Sequence, residues 1–265
     1  MFIYPNAKIN IGLNIISKTG DGYHNIESCF CPIDLHDIIE LKISNKTSLS
    51  TSGITIPENV NNNLIIKSIK LFNPKLNYKI HLHKNIPIGS GLGGGSSNAT
   101  FLLKHLNNNN KYSNDEIMNI SKKIGSDCPF FLENKSKYIT GKGEKMENIK
   151  IDLNDKKLII IIPKKSISTI EAYDNIKPKK SHFKLKEILE NESLENWKNY
   201  VKNDFETYTF SKINELKKIK NHLYDLGATF VSLTGSGSAI YGIFNNTKNI
   251  KINNKYRSIK SKIVS

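Results

Sequence analysis

The most glycine-rich stretch of this chain is Pro87-Ile88-Gly89-Ser90-Gly91-Leu92-Gly93-Gly94-Gly95-Ser96-Ser97-Asn98-Ala99-Thr100. Five of the nine residues at 89–97 are glycine, which loses backbone entropy and adds no packing, so the run is expected where the backbone approaches a ligand closely. Residues 78–83 alternate polar and apolar side chains, as a strand does. Ser96 and Ser97 are N-cap candidates for a following helix. Strand, glycine loop and helix N-terminus together favour binding of a nucleotide phosphate.

Three other interpretations of the loop are weaker. The loop is not of the Walker A type, because no lysine lies between Gly89 and Thr100. Gly89, Gly91 and Gly94 match the dinucleotide pattern Gly-x-Gly-x-x-Gly, but that pattern requires a second strand after the helix. Residues 107–114 are polar apart from Tyr112, and another helix-like segment follows. A flexible linker is also disfavoured, since it would not join a strand to a capped helix.

Length and composition limit the classes of protein to consider. The 265 residues are enough for one large or two small domains. The longest strongly apolar run, residues 158–162, is too short for a membrane span, and no targeting signal is visible. The three cysteines do not suggest a disulfide framework. We therefore expect a cytoplasmic protein that does not bind a membrane, and we leave open whether it is a monomer or a homodimer.

The net charge of +15 raises the hypothesis of nucleic-acid binding. Against it, Arg257 is the single arginine, whereas recognition of bases and phosphates favours arginine. The lysines are scattered along the chain, and asparagine and isoleucine are enriched with them. That joint enrichment is typical of a coding bias, so nucleic acid is an unlikely partner.

Two segments near the N-terminus carry candidate functional side chains. Residues 8–15 alternate strictly, which predicts a strand with Lys8 and Asn10 on its polar face; that face is either solvated or part of a site. The turn at residues 19–24 presents Tyr23 and His24 side by side. Cys29 and Cys31 could be a metal-binding fragment, but no matching ligands follow, so buried thiols are the favoured interpretation.

Asp127 is a candidate catalytic carboxylate. It follows a predicted helix at residues 114–124 and a Gly-Ser pair, and it precedes a proline and two phenylalanines. Such a partly apolar environment can tune the pKa and the hydrogen bonding of a carboxylate. An ordinary Asx turn would explain the local sequence equally well.

The remaining segments complete the predicted topology. A soft domain boundary near Lys150 divides the chain into residues 1–150 and 151–265. The other predicted elements are strands at residues 30–34, 38–43 and 157–162, helices at 64–72, 183–189, 195–203 and 211–226, a hairpin around 141–143, two strands flanking the turn at 234–238, and a terminal helix and short strand within 247–265.

Three glycine-bearing or lysine-bearing segments in this order resemble the motifs of the GHMP kinases: residues 5–10, 87–100 and 233–239. Finer features, namely residues 21–24, 91–99 and 125–131, are similar to the branch of that family that acts on a cytidine diphosphate conjugate of methylerythritol. The resemblance covers residues 5 to about 244. It implies a two-domain α/β (α+β) fold with a ribosomal protein S5 domain 2-like N-terminal half, a ferredoxin-like C-terminal half and an active site in the cleft between them.

The resemblance also implies a reaction and a set of residue roles. The implied enzyme is a transferase of the non-mevalonate route to isoprenoid precursors, which passes the γ-phosphoryl group of ATP to the 2-hydroxyl group of the methylerythritol moiety. Residues 87–97 would bind the ATP phosphates, and Lys8 and Asp127 would form the catalytic pair. The implied substrate contacts are Asn10, Tyr23, His24, Tyr173, Gly235 and Gly237, with Tyr23 and Tyr173 stacking on the cytosine.

Mg²⁺ is the implied metal, and Ser97 is the position that approaches it in some relatives. Ser90 departs from the glycine that is usual in the loop, and the C-terminus is short. Another small-molecule GHMP kinase, of the homoserine or mevalonate type, is the alternative, and a basic nucleic-acid-binding module is the alternative from a non-enzyme class.

Overall fold

The structure is a computed structural model, and it describes residues 1–57, 62–179, 181, 183–248, 250–252 and 255–264. In chain order the elements are β1 (Phe2–Ile3), β2 (Asn6–Lys18), β3 (His24–His36), β4 (Ile38–Ile43), β5 (Ser48–Gly53), α1 (Leu64–Phe72), β6 (Tyr78–Lys84), α2 (Gly94–Leu106), α3 (Asn114–Ile124), α4 (Cys128–Glu133), β7 (Lys137–Thr140), β8 (Lys145–Asn148), β9 (Lys157–Ile162), α5 (Thr169–Asp174), α6 (Leu185–Asn191), α7 (Trp197–Tyr200), α8 (Phe205–Lys212), α9 (Glu215–Asp225), β10 (Phe230–Leu233), β11 (Ile240–Phe244) and β12 (Arg257–Lys262).

The chain forms two compact units that are discontinuous in sequence. Unit 1 comprises Met1–Ala7, Leu35–Ile88 and Gly93–Lys135, and unit 2 comprises Lys8–Asp34, Gly89–Leu92 and Ser136–Ser265. The units are divided differently from the single boundary near Lys150 that the sequence predicts, because the long strand β3 pairs with β7, which lies far along the chain and joins β2 and β8 in the same sheet. The division into domains at residues 1–150 and 151–265 stays a prediction.

Unit 1 is a four-stranded sheet in the order β1-β4-β6-β5, covered by helices. β4 and β6 are antiparallel, whereas β5 and β6 are parallel. One face of the sheet packs Ile39, Leu41, Ile80 and Leu82 against α1 and α2. Helix α3 begins at a full capping box, in which Ser113 and Glu116 exchange hydrogen bonds.

Unit 2 contains two four-stranded sheets, ordered β10-β11-β9-β12 and β2-β3-β7-β8. In the first, β9 is the apolar run at residues 157–162, and both of its neighbours are antiparallel to it. In the second, β2 is buried on both faces over its first eight residues, so the polar face that carries Lys8 and Asn10 is not a solvated one. Those polar side chains must therefore find partners inside the protein.

Most of the predicted elements are confirmed, and the following errors of extent lie in unit 2. The predicted strand at residues 30–34 is wrong in extent, since β3 runs from His24 to His36. The predicted helix at 195–203 shrinks to α7, and the one at 211–226 begins later, at Glu215, because α8 ends first at Lys212. The predicted terminal strand is confirmed as β12, while the described part of residues 247–264 contains no helix. No helix among the described residues is long and apolar enough to cross a membrane.

Candidate active site

Helix α2 begins inside the glycine run rather than after it. Its N-cap is Gly93, in the left-handed conformation with φ 72°, and no side chain caps the helix. The sequence predicts Ser96 or Ser97 as the N-cap, and that prediction is wrong, because Gly93, three residues before Ser96, takes the left-handed geometry at no steric cost. The first N–H groups of α2 therefore have neither an intrahelical partner nor a capping side chain. This is the arrangement that binds an anion.

A buried ion pair lies beneath this helix start, in unit 1. Lys84 Nζ pairs with Asp37 Oδ2, and the Lys84 and Asp37 side chains are 4% and 0% exposed. Asp37 Oδ1 also accepts hydrogen bonds from the backbone N–H groups of Asn85 (2.7 Å) and Ile86 (2.8 Å). A Cβ on Gly94 would lie 2.8 Å from Lys84 Nζ. The pair thus anchors the chain where it enters the glycine loop, and a larger residue at position 94 would force the Lys84 or Ile86 side chain to shift.

Burial lowers the pKa of Lys84, and its attraction to Asp37 opposes that shift. We did not predict this pair from the sequence. A signal was available, because Lys84 continues the period-2 series of core positions Tyr78, Ile80 and Leu82. A charged residue in a core register requires a buried partner.

The middle of the glycine loop packs against the 234–238 turn within unit 2. Gly91 has φ 79°, and a Cβ there would lie 2.0 Å from the carbonyl oxygen of Thr234. A Cβ on Gly235 would lie 2.9 Å from Gly91 Cα. The Ser90 carbonyl accepts from Ala239 N–H at 3.3 Å. Close backbone contact, not only ligand approach, therefore explains glycine at 91 and 235.

Asn10 is the centre of a polar network on β2. Its Oδ1 accepts from Lys8 Nζ at 2.6 Å and from Gly235 N–H at 2.9 Å. Its Nδ2 donates to Ser28 Oγ at 3.0 Å, and its backbone N–H donates to Thr234 Oγ1 at 3.1 Å. Asn10 is 2% exposed. The structure thus brings Lys8, Asn10 and Gly235 together, and it uses Asn10 to hold the other two.

The same turn is held from behind by Asn203, which the sequence analysis missed. Asn203 Nδ2 donates to the carbonyl oxygens of Leu233 (3.0 Å) and Gly235 (2.9 Å). Asp204 beside it accepts from Ile15 N–H at 2.7 Å, and burial raises the pKa of Asp204. No local pattern marks these two residues, because their partners lie about 30 and 190 positions away in sequence. Gly237, with φ 99°, completes the turn by donating to the Thr234 carbonyl at 3.0 Å.

Asp127 lies in unit 1 at the N-cap position of α4, and its side chain makes no capping hydrogen bond to that helix. The segment around it is fixed on both sides. Lys67 Nζ donates to the Ile124 carbonyl at 3.0 Å, and Thr100 Oγ1 donates to the Cys128 carbonyl at 3.2 Å. Burial raises the pKa of Cys128 to about 11, so its thiol stays protonated. The Asp127 carboxylate is thus held on a rigid segment without serving as a helix cap.

The aromatic candidates lie in unit 2. The His24 and Tyr173 rings are 5.0 Å apart and tilted by 36°, and Tyr173 also meets Phe205 edge to face at 4.9 Å. Burial lowers the pKa of His24, and Lys18 contributes in the same direction, so the imidazole is held neutral. Tyr23 is 62% exposed. The stacking of a base between Tyr23 and Tyr173 stays a prediction.

The predicted metal position is Ser97, and the other metal-binding candidates are Cys29 and Cys31. Ser97 Oγ donates to the Asn6 carbonyl at 2.6 Å, and Ser97 is fully buried, so its role as a Mg²⁺ ligand stays a prediction. Among the described residues, no cluster of three or more His, Cys, Asp or Glu side chains could hold a metal ion. Cys29 and Cys31 are buried free thiols, as the sequence predicted.

Comparison with known proteins matches both halves of the chain to one family. The model of the GHMP kinases N terminal domain matches residues 63–135, and the GHMP kinases C terminal model matches residues 184–258. The chain is 44% identical over 253 residues to a 4-diphosphocytidyl-2-C-methyl-D-erythritol kinase from Azobacteroides pseudotrichonymphae genomovar. CFP2, covering 92% of this chain and 93% of that relative.

Solved structures show the same fold. A crystal structure of 4-(cytidine 5'-diphospho)-2C-methyl-D-erythritol kinase is similar with a TM-score of 0.74 at 26% identity, covering 92% of this chain and 90% of that chain. The mevalonate kinase of Methanococcus jannaschii is similar with a TM-score of 0.69 at 17% identity, covering 100% of this chain and 98% of that chain. The second likeness concerns the fold alone. The predicted two-domain GHMP kinase architecture is thereby confirmed.

Proposed function

This chain belongs to the GHMP kinase family and, within it, to the 4-diphosphocytidyl-2-C-methyl-D-erythritol kinases, and we propose that it transfers the γ-phosphoryl group of ATP to the 2-hydroxyl group of 4-diphosphocytidyl-2-C-methyl-D-erythritol. The observation that carries the proposal is the 44% identity to a relative of that name over nearly the whole of both chains. ADP is the second product. A reaction that draws on ATP is consistent with the cytoplasmic setting that the sequence predicts.

For the phosphate donor, we propose that residues 87–97 bind the ATP phosphates. The uncapped N–H groups at the start of α2 support this role, because they and the helix dipole attract negative charge. The Lys84–Asp37 pair supports it by fixing the chain at the entry to the loop. We propose that Mg²⁺ arrives with the nucleotide, as Mg²⁺ commonly keeps its waters and binds through substrate phosphates.

For the transfer step, we propose Asp127 and Lys8 as the catalytic residues. The Asp127 carboxylate accepts the proton of the attacking hydroxyl, the hydroxyl oxygen forms the new bond to the γ-phosphorus, and the bond to the ADP oxygen breaks. The Lys8 ammonium group offsets negative charge on the phosphoryl oxygens. Positioning and electrostatics carry most of the acceleration in this chemistry, so Asp127 need not be a strong base.

For the acceptor, we propose that Tyr23 and Tyr173 stack on the cytosine and that His24 contacts its polar edge. A neutral imidazole supports this role, since it offers one donor and one acceptor. We also propose that Asn10 orients Lys8 and the 234–238 turn, in addition to any contact with the substrate. Its hydrogen bonds to Lys8 and Gly235 support this second role.

The decisive experiment measures ADP formation with the cytidyl substrate, homoserine and mevalonate in parallel. We expect turnover with the cytidyl substrate alone. Turnover with homoserine or mevalonate instead would favour the alternative kinase types, and salt-dependent RNA binding without ATP turnover would favour a nucleic-acid-binding module.

A second experiment addresses the proposed base. Asp127→Asn should lower kcat by about 10²- to 10⁴-fold, the usual contribution of a positioned acid or base, while leaving ATP binding nearly intact. Asp115→Asn is the matched control, because Asp115 lies exposed in the first turn of α3. An Asp127→Asn enzyme as active as the Asp115→Asn control would remove the catalytic assignment.

A further inference from the structure

The hairpin between β7 and β8 brings a lysine to the turn that carries Tyr23. Ile26 N–H on β3 donates to the Gly141 carbonyl at 2.7 Å, which ties the start of the hairpin turn to the neighbouring strand. The Lys142 backbone N–H donates to Glu144 Oε2 at 2.6 Å within the turn. Lys142 is therefore presented from a fixed backbone, and all of these residues belong to unit 2.

The Lys142 ammonium group makes two contacts at the 19–23 turn. It forms an ion pair with Asp21 Oδ2. It also lies 5.3 Å from the centroid of the Tyr23 ring, within the range of a cation–π interaction. One cation thus touches both the carboxylate and the exposed aromatic ring of a single short turn.

Asp21 ties this contact to the backbone of Tyr23. The Thr19 hydroxyl lies 2.6 Å from Asp21 Oδ1 and 2.9 Å from the Tyr23 carbonyl oxygen, and the Thr19 N–H donates to that carbonyl at 2.8 Å. The hydrogen bond from Lys142, and next that from Thr19, lower the pKa of Asp21 to about 2, so the carboxylate is ionised at neutral pH. The turn is organised around the Lys142–Asp21 pair.

We propose that Lys142 is a positioning residue for recognition of the substrate base: it holds one face of the Tyr23 ring, so that the other face is set in place for the cytosine. The inference rests on the proposed function, since it deepens the role of Tyr23 in the same site. Tyr23 is 62% exposed, and an unsupported exposed ring would lose rotamer freedom on stacking. Holding the ring beforehand removes part of that entropy cost.

The test is a double-mutant cycle between Lys142 and Tyr23, measured as kcat/KM for the cytidyl substrate. Lys142→Met keeps most of the length of the side chain and removes its charge. It should raise the KM for the cytidyl substrate by about two- to fivefold, the value of an exposed cation–π contact, with kcat and the KM for ATP unchanged. Lys142→Arg should restore the wild-type KM, because a guanidinium group also stacks on an aromatic ring.

In a Tyr23→Ala background, Lys142→Met should have no further effect on kcat/KM, because Lys142 acts through the ring. Lys145→Met is the matched control: Lys145 is exposed on β8 of the same hairpin, and its loss should leave every constant at the wild-type value. The melting temperature should be unchanged in all of these lysine variants, since exposed ion pairs contribute little to stability.

Three outcomes would overturn the inference. In the first, Lys142→Met lowers kcat or raises the KM for ATP. In the second, Lys142→Met has the same effect with and without the Tyr23 ring, which would mean that Lys142 contacts the substrate directly. In the third, Lys142→Met matches wild type. All three leave the proposed function intact. If the wild-type protein fails to phosphorylate the cytidyl substrate, the proposed function falls, and the role of Lys142 falls with it.

Discussion

Lys8 Nζ donates a 2.6 Å hydrogen bond to Asn10 Oδ1, and the two residues are 3% and 2% exposed. The position of the proposed catalytic ammonium group thus depends on a neutral amide two residues along the same strand. Because Asn10 Oδ1 also accepts from Gly235 N–H, one oxygen atom links β2 to a turn 225 residues away.

From this relationship we predict that Asn10→Ala lowers kcat by about 10²-fold, the effect of misplacing a catalytic group by an ångström or so. Circular dichroism spectra checked before the kinetics should show that the variant is folded. Ser28→Ala removes the acceptor of Asn10 Nδ2 and a hydrogen bond to the Gly12 carbonyl, but it leaves the Lys8–Asn10 hydrogen bond in place and should keep kcat near the wild-type value. Equal kcat values for Asn10→Ala and wild type would contradict the positioning role.

Gly91 and Gly89 offer a matched pair of substitutions to alanine. Both have positive φ, 79° and 64°, so both variants carry backbone strain of about 1–2 kcal/mol. A Cβ at Gly89 meets nothing within 4 Å, whereas one at Gly91 meets the Thr234 carbonyl at 2.0 Å. We expect Gly91→Ala to lower the melting temperature and the activity much more than Gly89→Ala does. Thermal unfolding and kcat/KM for ATP check this, and equal losses would show that strain alone matters.

The Lys84–Asp37 pair predicts that removing one partner destabilises the protein more than removing both charges. Lys84→Met leaves the fully buried Asp37 carboxylate without its cation, which should lower the free energy of unfolding by about 3–5 kcal/mol. The double variant Lys84→Met with Asp37→Asn should recover part of the loss, because no buried charge then remains. Urea titrations measure both values. Lys79→Met, at an exposed position of the same strand, is the control; a loss as large in that variant would refute the explanation.

His24 predicts how stability responds to pH. Burial, and next the charge of Lys18, lower the pKa of His24 in the folded state. At a pH between this lowered pKa and the ordinary pKa of histidine, the unfolded chain binds a proton at His24 and the folded chain does not. Stability therefore rises with pH in that window and is lost as the pH falls below about 6.5. The free energy of unfolding should fall more steeply between about pH 7 and pH 5 in wild type than in His24→Gln. Parallel curves for the two proteins would contradict this.

Alternation and helical spacing of apolar residues predicted much of the fold, because these patterns extend over only a few residues and can be read from the sequence. The alternation before the glycine loop predicted β6, and the apolar spacing at residues 64–72 predicted α1. The start of α2 was mispredicted because a serine is the usual cap, whereas a left-handed Gly93 can begin a helix without one. In unit 2 the helical spacing of residues 211–226 did not reveal the break between α8 and α9.

Candidate site residues were found where residue type and local pattern coincide, as at Lys8, Asp127, Tyr23 and the glycine loop. The supporting residues were not found, because their partners are remote. Asn203, Asp37 and Lys142 each act on a segment from 30 to more than 100 positions away in sequence. A single sequence carries no trace of such pairings when the residue types are common.

The sequence by itself determined the family, and it predicted a phosphate-binding loop and a catalytic lysine and aspartate, because these depend on short motifs whose chemistry is local. The tertiary structure decided which residues support those motifs. Asn10 binds Lys8 and is itself bound to Thr234, the Lys84–Asp37 pair lies under the start of α2, and Lys142 contacts Tyr23. It also decided that the polar face of β2 is buried. The physical reason is that burial and hydrogen-bond pairing depend on which distant segments meet, and only the folded chain brings them together.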